Sequence, residues 1–301
     1  MKPDAPEATP SRFPSAWGRW GAGDEAGALN LIGAGEVLAG VSLVSSGRIV
    51  RLGRDLGPRT PVAPHRKRPE RFMTRDAGDY AAGARRPGGF QFAEEVVAFA
   101  PHSGTHIDAL AHAWYEDKLY NGFSSNSIRS TTGAQHCGAE KLRPIATRGV
   151  LLDLASISPR PAEPGQAFGA DELARAAEAA GVSLKPGDAV LLHTGWLEKA
   201  GDAPRYFGGE PGIDLSAAEW LASAGVAVIG ADNYAIEVQP SSPDTMFPVH
   251  QFLLRDQGVP LIEDMMLQEL VALARTTFFF VAVPLPVVGG TAGPVCPIAI
   301  L

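Results

Sequence analysis

The 301-residue chain is 45% hydrophobic and 20% charged with a formal net charge of −7, proportions of a globular protein with an ordinary core that exclude a disordered or fibrous chain. The acidic balance argues against nucleic acid or an anionic membrane as partner, and no apolar run approaches the ~20 residues of a membrane span. Two cysteines, Cys137 and Cys296, make no disulfide framework and read as thiols in a reducing cytoplasm, with a single bridge between them left open.

Length allows one large domain or two small ones. The first residues have no signal-peptide apolar core, so a cytoplasmic location is expected. Residues 1–14 hold four prolines and few large apolar groups, which predicts an extended arm ahead of a domain over residues 15–301. Glycines and two tryptophans over residues 17–32 predict a folded loop, either surface packing or a pocket wall. A short helix is expected over residues 35–40 and a strand over residues 47–53. Residues 54–90 are rich in Pro, Arg, Gly and Asp and read as a long loop, either disordered or a lid. Its basic cluster, His65-Arg66-Lys67-Arg68-Pro69-Glu70-Arg71, could suggest a nucleic-acid patch but reads as a solvated face in a chain of net negative charge.

Residues 95–100 read as a strand. It leads into Pro101-His102-Ser-Gly104-Thr-His106-Ile-Asp108-Ala-Leu-Ala-His112, which holds three of the seven histidines. Two histidines four apart share a face on a helix, but Ser-Gly-Thr between them is poor helix interior, and Gly104 invites a bend. The segment is therefore expected to be extended after a turn. Alternate residues of extended chain point the same way, so His106 and Asp108 face one point, to which the turn can return His102. Imidazole and carboxylate are ligands that zinc, manganese or ferrous iron accept. Residues 109–115 are largely apolar and predict a helix that carries His112 back over the site.

Residues 114–123 are rich in aromatics and turn formers, fit for a pocket wall or for core packing. Buried strands are expected at residues 149–154, 188–196 and 226–232, and a helix over residues 171–180 closed by Gly181. His193 ends one strand and reads as core or pocket-edge packing, because a lone histidine lacks partner ligands. Asp232 ends another, where it touches substrate or holds a loop. Ser216-Ala-Ala-Glu219 reads as a capping box opening a helix to Ser223. Residues 248–258 read as a short helix stopped at Gly258, followed by a strand carrying Glu263. A final strand is expected over residues 277–284, before a glycine-rich tail. Strands alternating with helices predict a mixed α/β fold with one core.

His102-x-Gly-Thr-His106-x-Asp108-x-x-x-His112, with Tyr120-Asn-Gly122, resembles the signature of the cyclase-like metal-dependent hydrolase family. That family includes bacterial kynurenine formamidase and isatin hydrolase, and the likeness is greatest to its larger bacterial members. The opening around Trp17, the His250…Glu263 pair and the tail resemble further parts of its pattern. The resemblance implies a swivelling β/β/α fold and a homo-oligomer, a dimer or larger. It implies a divalent metal, zinc or manganese, at one or two ions per chain. His102, His106 and Asp108 are then ligands, His250 and Glu263 complete the site, and His112 is the acid/base. The implied activity is hydrolysis of a C–N bond in a small amide or cyclic amide. A cyclase, lyase or lactone hydrolase, and a non-catalytic metal-binding protein, are the alternatives.

Overall fold

The apolar runs at the centre of the chain become the parallel heart of a nine-stranded sheet. Its order is Ile49–Arg51, Ile298–Ile300, Thr277–Ala282, Ile145–Asp153, Ala189–His193, Val228–Ala231, Leu261–Glu263, His106–Asp108 and Ala292–Pro294. The four strands from Ile145–Asp153 to Leu261–Glu263 run parallel, and every other pairing is antiparallel. The computed structural model describes residues 13–201, 203–241 and 244–301. The expected N-terminal arm therefore falls mostly outside the described residues.

Alternation along the parallel strands sends side chains to two cores. Val150, Leu152, Val190, Leu192 and Ile229 pack with Leu173 and Ala176 of the helix Ala170–Ala179, with Leu221 of the helix Leu215–Ser223 and with Phe252–Leu254. Leu151, Leu191, Val228 and Ile262 face the other way, onto Leu29, Leu267, Leu270, Phe278 and Phe280. A sheet covered on both faces explains why these strands are continuously apolar. No helix among the described residues is long and apolar enough to cross a membrane. Both cysteines are free thiols.

Three sequence expectations are corrected. Residues 109–115 form no helix. Ala109, Leu110 and Ala111 are all buried, and the amides of Ala109 and Ala111 donate to the distant carbonyls of Thr291 and Cys137. That stretch was apolar because it fills the core from all sides, not because it carries one helical face. His112 sits instead on a turn, its amide donating to the Ala109 carbonyl at 2.9 Å.

The second correction concerns residues 54–90, which are not structureless. Glu70–Arg75 pairs antiparallel with Glu94–Ala98 as a separate ribbon, and between them lies a short helix, Ala77–Ala81, capped by Asp76. Both faces of the ribbon meet solvent: Phe72 is 57% and Val96 53% exposed on one, with Val97 and Met73 exposed on the other. Third, Asp214 rather than Ser216 caps the helix Leu215–Ser223. Its carboxylate accepts from the Ala217 amide, while the Ser216 hydroxyl donates to Asp214 and accepts from the Ala170 amide.

Candidate metal centre

The strand His106–Asp108 puts its two polar side chains on one face, as extended chain must. Gly104, at φ +62°, supplies the bend before it. This bend turns His102 back until its Nδ1 lies 2.8 Å from Asp108 Oδ1. The neighbouring strand Leu261–Glu263 pairs Glu263 with His106 in register, and Glu263 Oε2 lies 3.3 Å from His106 Nε2. His250, on the short helix Pro248–His250, reaches the same point: its Nε2 is 3.1 Å from Glu263 Oε1 and 3.7 Å from Asp108 Oδ2. His112 Nε2 is 3.8 Å from Asp108 Oδ2. The fold thus brings all six residues singled out in the sequence to one cluster. Its donor atoms form two groups, His102–His106–Asp108 and Asp108–His112–His250, in each of which the atoms lie within 4.8 Å of one another.

Hydrogen bonds fix the tautomers. His106 Nδ1–H donates to the Gly104 carbonyl at 2.8 Å, which leaves the Nε2 lone pair facing the cluster. His250 Nδ1–H donates to Glu237 Oε1 at 2.6 Å with the same result. A carboxylate behind a ligating imidazole is the usual support of a metal site. Glu237 is buried, and its carboxylate also accepts from the amides of Val249 and His250. Sequence reading missed Glu237, which has no telling spacing from His250. It also missed Thr291, whose hydroxyl meets His102 Nε2 at 3.1 Å; it lies in the tail that carried the family likeness.

The electrostatics show what the cluster lacks. Burial pushes the Asp108 carboxyl up, but the charges of His112 and His102 hold it well below the usual carboxylate range. For Glu263 burial and Asp108 act upward, and the imidazoles of His106 and His250 beside it outweigh them. Burial acts to lower His106 and His250; Glu263 raises the first, and Glu237 with Glu263 raises the second well above normal. His112 is pushed down to about 4, by burial first and then by the charges of His102 and His250, against Asp108. Both oxygens of Asp108, His106 Nε2 and His102 Nδ1 are buried without a hydrogen-bond partner. Buried polar atoms are otherwise almost always satisfied, so this set of imidazole and carboxylate donors fits a divalent cation.

A second group shows the contrast. His193, Glu198 and Asp232 also bring three donor atoms within 4.8 Å, the first and last at the ends of parallel strands and Glu198 on the short helix Trp196–Ala200. Here the atoms have partners. His193 Nδ1 donates to Asp153 Oδ1 at 2.7 Å. Asp232 accepts from the Thr194 amide and hydroxyl and from the Gly195 amide, so it holds the turn after the strand. Burial acts to lower His193, but Asp153 and Glu198 raise it to about 10. His193 is thus an imidazolium among carboxylates, supplying its own cation.

A narrow cleft reaches the six-residue cluster from one side, lined by Pro61, Val62, Arg66, His102, Ser103, Gly104, His106, Phe207, Tyr234 and Asp264. At its wall Arg54 pairs with Asp264, and the Tyr206 hydroxyl lies 2.8 Å from the same carboxylate.

Residues 50–238 match the family model described as "Putative cyclase". Isatin hydrolase of Roseibium aggregatum is 29% identical over 217 residues, 70% of this chain and 75% of that protein. Among solved structures, a crystal structure of a novel cyclase superposes with a TM-score of 0.88 at 31% identity, over 96% of this chain and 100% of that one. An isatin hydrolase bound to the product analogue thioisatinate superposes at 0.65 and 24% identity, over 90% of this chain and 99% of that one.

Proposed function

The chain belongs to the cyclase family, and from that membership and the unsatisfied donor cluster we propose that it is a metal-dependent hydrolase of a C–N bond in a small amide or cyclic amide. The observation that carries this reading is the buried Asp108 carboxylate, both oxygens without hydrogen-bond partners, facing imidazoles whose lone pairs are aimed at it. His102, His106 and Asp108 would hold a first divalent ion, zinc or manganese, and His250 and Glu263 would complete the site or hold a second. Such an ion polarises a substrate carbonyl and acidifies water at neutral pH.

The proton chemistry belongs to His112. Its side chain is 28% exposed, against 12%, 3% and 5% for His102, His106 and His250. It alone of the four bridges the buried carboxylates and solvent. Its ring, centred 4.0 Å from that of His102, takes the proton from the attacking water and returns it to the leaving nitrogen. That second transfer matters because an amide anion is a poor leaving group. Glu237 holds His250 in place, and Gly104 holds His106. The occupants expected are a small-molecule substrate and, for the protein as a whole, a second copy in a homo-oligomer.

The test uses His112→Ala with metal analysis and turnover of N-formylkynurenine, isatin, cyclic imides and lactones. The variant should keep its metal and lose about 10²–10⁴-fold of its activity. The loss should be smaller on an activated ester, whose leaving group needs no proton. A second reading has its own observation: His112 is itself within one donor group with Asp108 and His250. Loss of metal together with activity would make His112 a ligand of a second ion. Product mass separates hydrolysis, which adds a water, from a cyclase or lyase reaction. Bound metal with no turnover on any probe would leave a metal-binding protein.

A further inference from the structure

Asp108 and Glu263 each divide their oxygens between two halves of the cluster. Asp108 Oδ1 lies 2.8 Å from His102 Nδ1 and 3.6 Å from His106 Nε2, while its Oδ2 lies 3.8 Å from His112 Nε2 and 3.7 Å from His250 Nε2. Glu263 turns Oε2 to His106 at 3.3 Å and Oε1 to His250 at 3.1 Å. The halves differ in what stands behind their imidazoles. His106 donates to the Gly104 carbonyl and His102 meets the Thr291 hydroxyl, both uncharged groups. His250 donates to a carboxylate, that of Glu237, at 2.6 Å.

Glu237 is buried, 1% exposed, and belongs to neither donor group of the cluster. It accepts from the Val249 amide, the His250 amide and the His250 ring, all N–H donors, as an ionised carboxylate does. Its main chain is pinned on both sides: the Ile213 amide donates to the Ile236 carbonyl at 3.1 Å, and the Val238 amide donates to the Ile213 carbonyl at 3.2 Å. Gly212 permits that approach, since a Cβ there would run into the Glu237 backbone. A negative charge is thus fixed behind one imidazole of one half. Two divalent ions carry twice the charge of the two carboxylates shared between the halves, so a second ion enters against the repulsion of the first. Buried charges feel that repulsion with little screening by salt. A third carboxylate, acting through the ring of His250, offsets it in the half that His250 serves.

We propose that Glu237 decides whether the cluster holds one divalent ion or two. The half built on His102 and His106 fills first, on two imidazoles of its own. The half built on His250 fills second and depends on the charge behind it. Glu237 is a positioning residue in this scheme, acting on the ion only through His250. The inference rests on the reading of the cluster as a metal centre and not on which bond that centre cleaves.

The whole chain, stripped with a chelator, is titrated with Zn²⁺ against a chromophoric competitor to give the stepwise affinities. The wild type should take up two ions. Glu237→Gln keeps the shape and an acceptor for the ring N–H but removes the charge. It should weaken the second step roughly 10–100-fold, the usual effect of losing a partner behind a ligand, and leave the first step in place. A merely structural role would move both steps together. Should the variant fail to fold by far-ultraviolet dichroism, the wild type carries the test. Its histidine ring-nitrogen NMR signals should move in order, those of His102 and His106 with the first equivalent of Zn²⁺ and that of His250 with the second. Equal losses at both steps, an undiminished second step, a wild type that takes one ion only, or His250 moving with the first equivalent would each overturn the proposal. A wild type that binds no Zn²⁺ would instead remove the metal-centre reading itself.

Discussion

His193 shows how a titrating side chain can serve the fold rather than the chemistry. Its pKa is raised to about 10, with burial opposing and Asp153 and Glu198 prevailing, while the unfolded value is ~6.5. A group whose folded pKa is raised gives stability that is complete below the unfolded pKa and lost as pH rises through the folded one. Asp153 is lowered, with burial opposing and His193 prevailing, so its share appears above the unfolded carboxyl pKa and fades as pH falls. The pair therefore stabilises most between about pH 4 and 6.5 and fades towards pH 10. His193→Gln should cost roughly 2–4 kcal/mol at pH 6, less than a fully buried pair because Asp153 is partly solvated. Urea midpoints of wild type and variant measured from pH 6 to 10.5 should converge. A gap that stays constant with pH would mean that the histidine acts through packing alone.

At the scale of elements, the π-type helix Gln251–Gln257 ends at Gly258, with φ +66°. A Cβ there would run into the ring of Tyr120. The Gly258 carbonyl accepts from the Ala28 amide at 2.7 Å, and the Tyr120 hydroxyl donates to Asp24 at 3.0 Å. One substitution thus strains a helix end, an aromatic turn and the N-terminal loop together. Gly258→Ala should cost about 2–4 kcal/mol, from left-handed backbone strain plus overpacking. Gly181→Ala is the control, since φ is +67° and nothing lies within 4 Å of a Cβ; it should cost only the backbone share, about 1–2 kcal/mol. Equal losses would remove the steric argument. Gly258 and Gly181 were both readable as stops, because a glycine after an apolar periodic run has one common use. The extended His106–Asp108 segment was readable for a similar reason, its neighbours being poor in any helix. Residues 109–115 were misread because burial on every side erases the helical period. The ribbon of Glu70–Arg75 was missed because only pairing, and no core, holds it. Glu237 left no mark, since no local pattern encodes a contact with a histidine thirteen residues on.

In the whole molecule, the strand His106–Asp108 lies between two strands from the far end of the chain, Leu261–Glu263 and Ala292–Pro294. The parallel heart of the sheet is made from closer segments, joined by helices. Contacts between distant segments form only after a costly loop closure. Assembly should therefore have an order: the heart of the sheet first, the donor cluster last. Refolding followed by far-ultraviolet dichroism should run ahead of the ligand-field absorption of added Co²⁺, and simultaneous recovery would sink this ordering. During synthesis, a chain that has emerged through His112 already displays four of the six donors, two of them on a strand whose partners are not yet made, with His250 and Glu263 still to come. An ion captured then would be loosely held and freely exchanged. Lasting capture would coincide with the joining of the C-terminal strands, so that the choice of metal is made by whichever ion is at hand when the last segment docks.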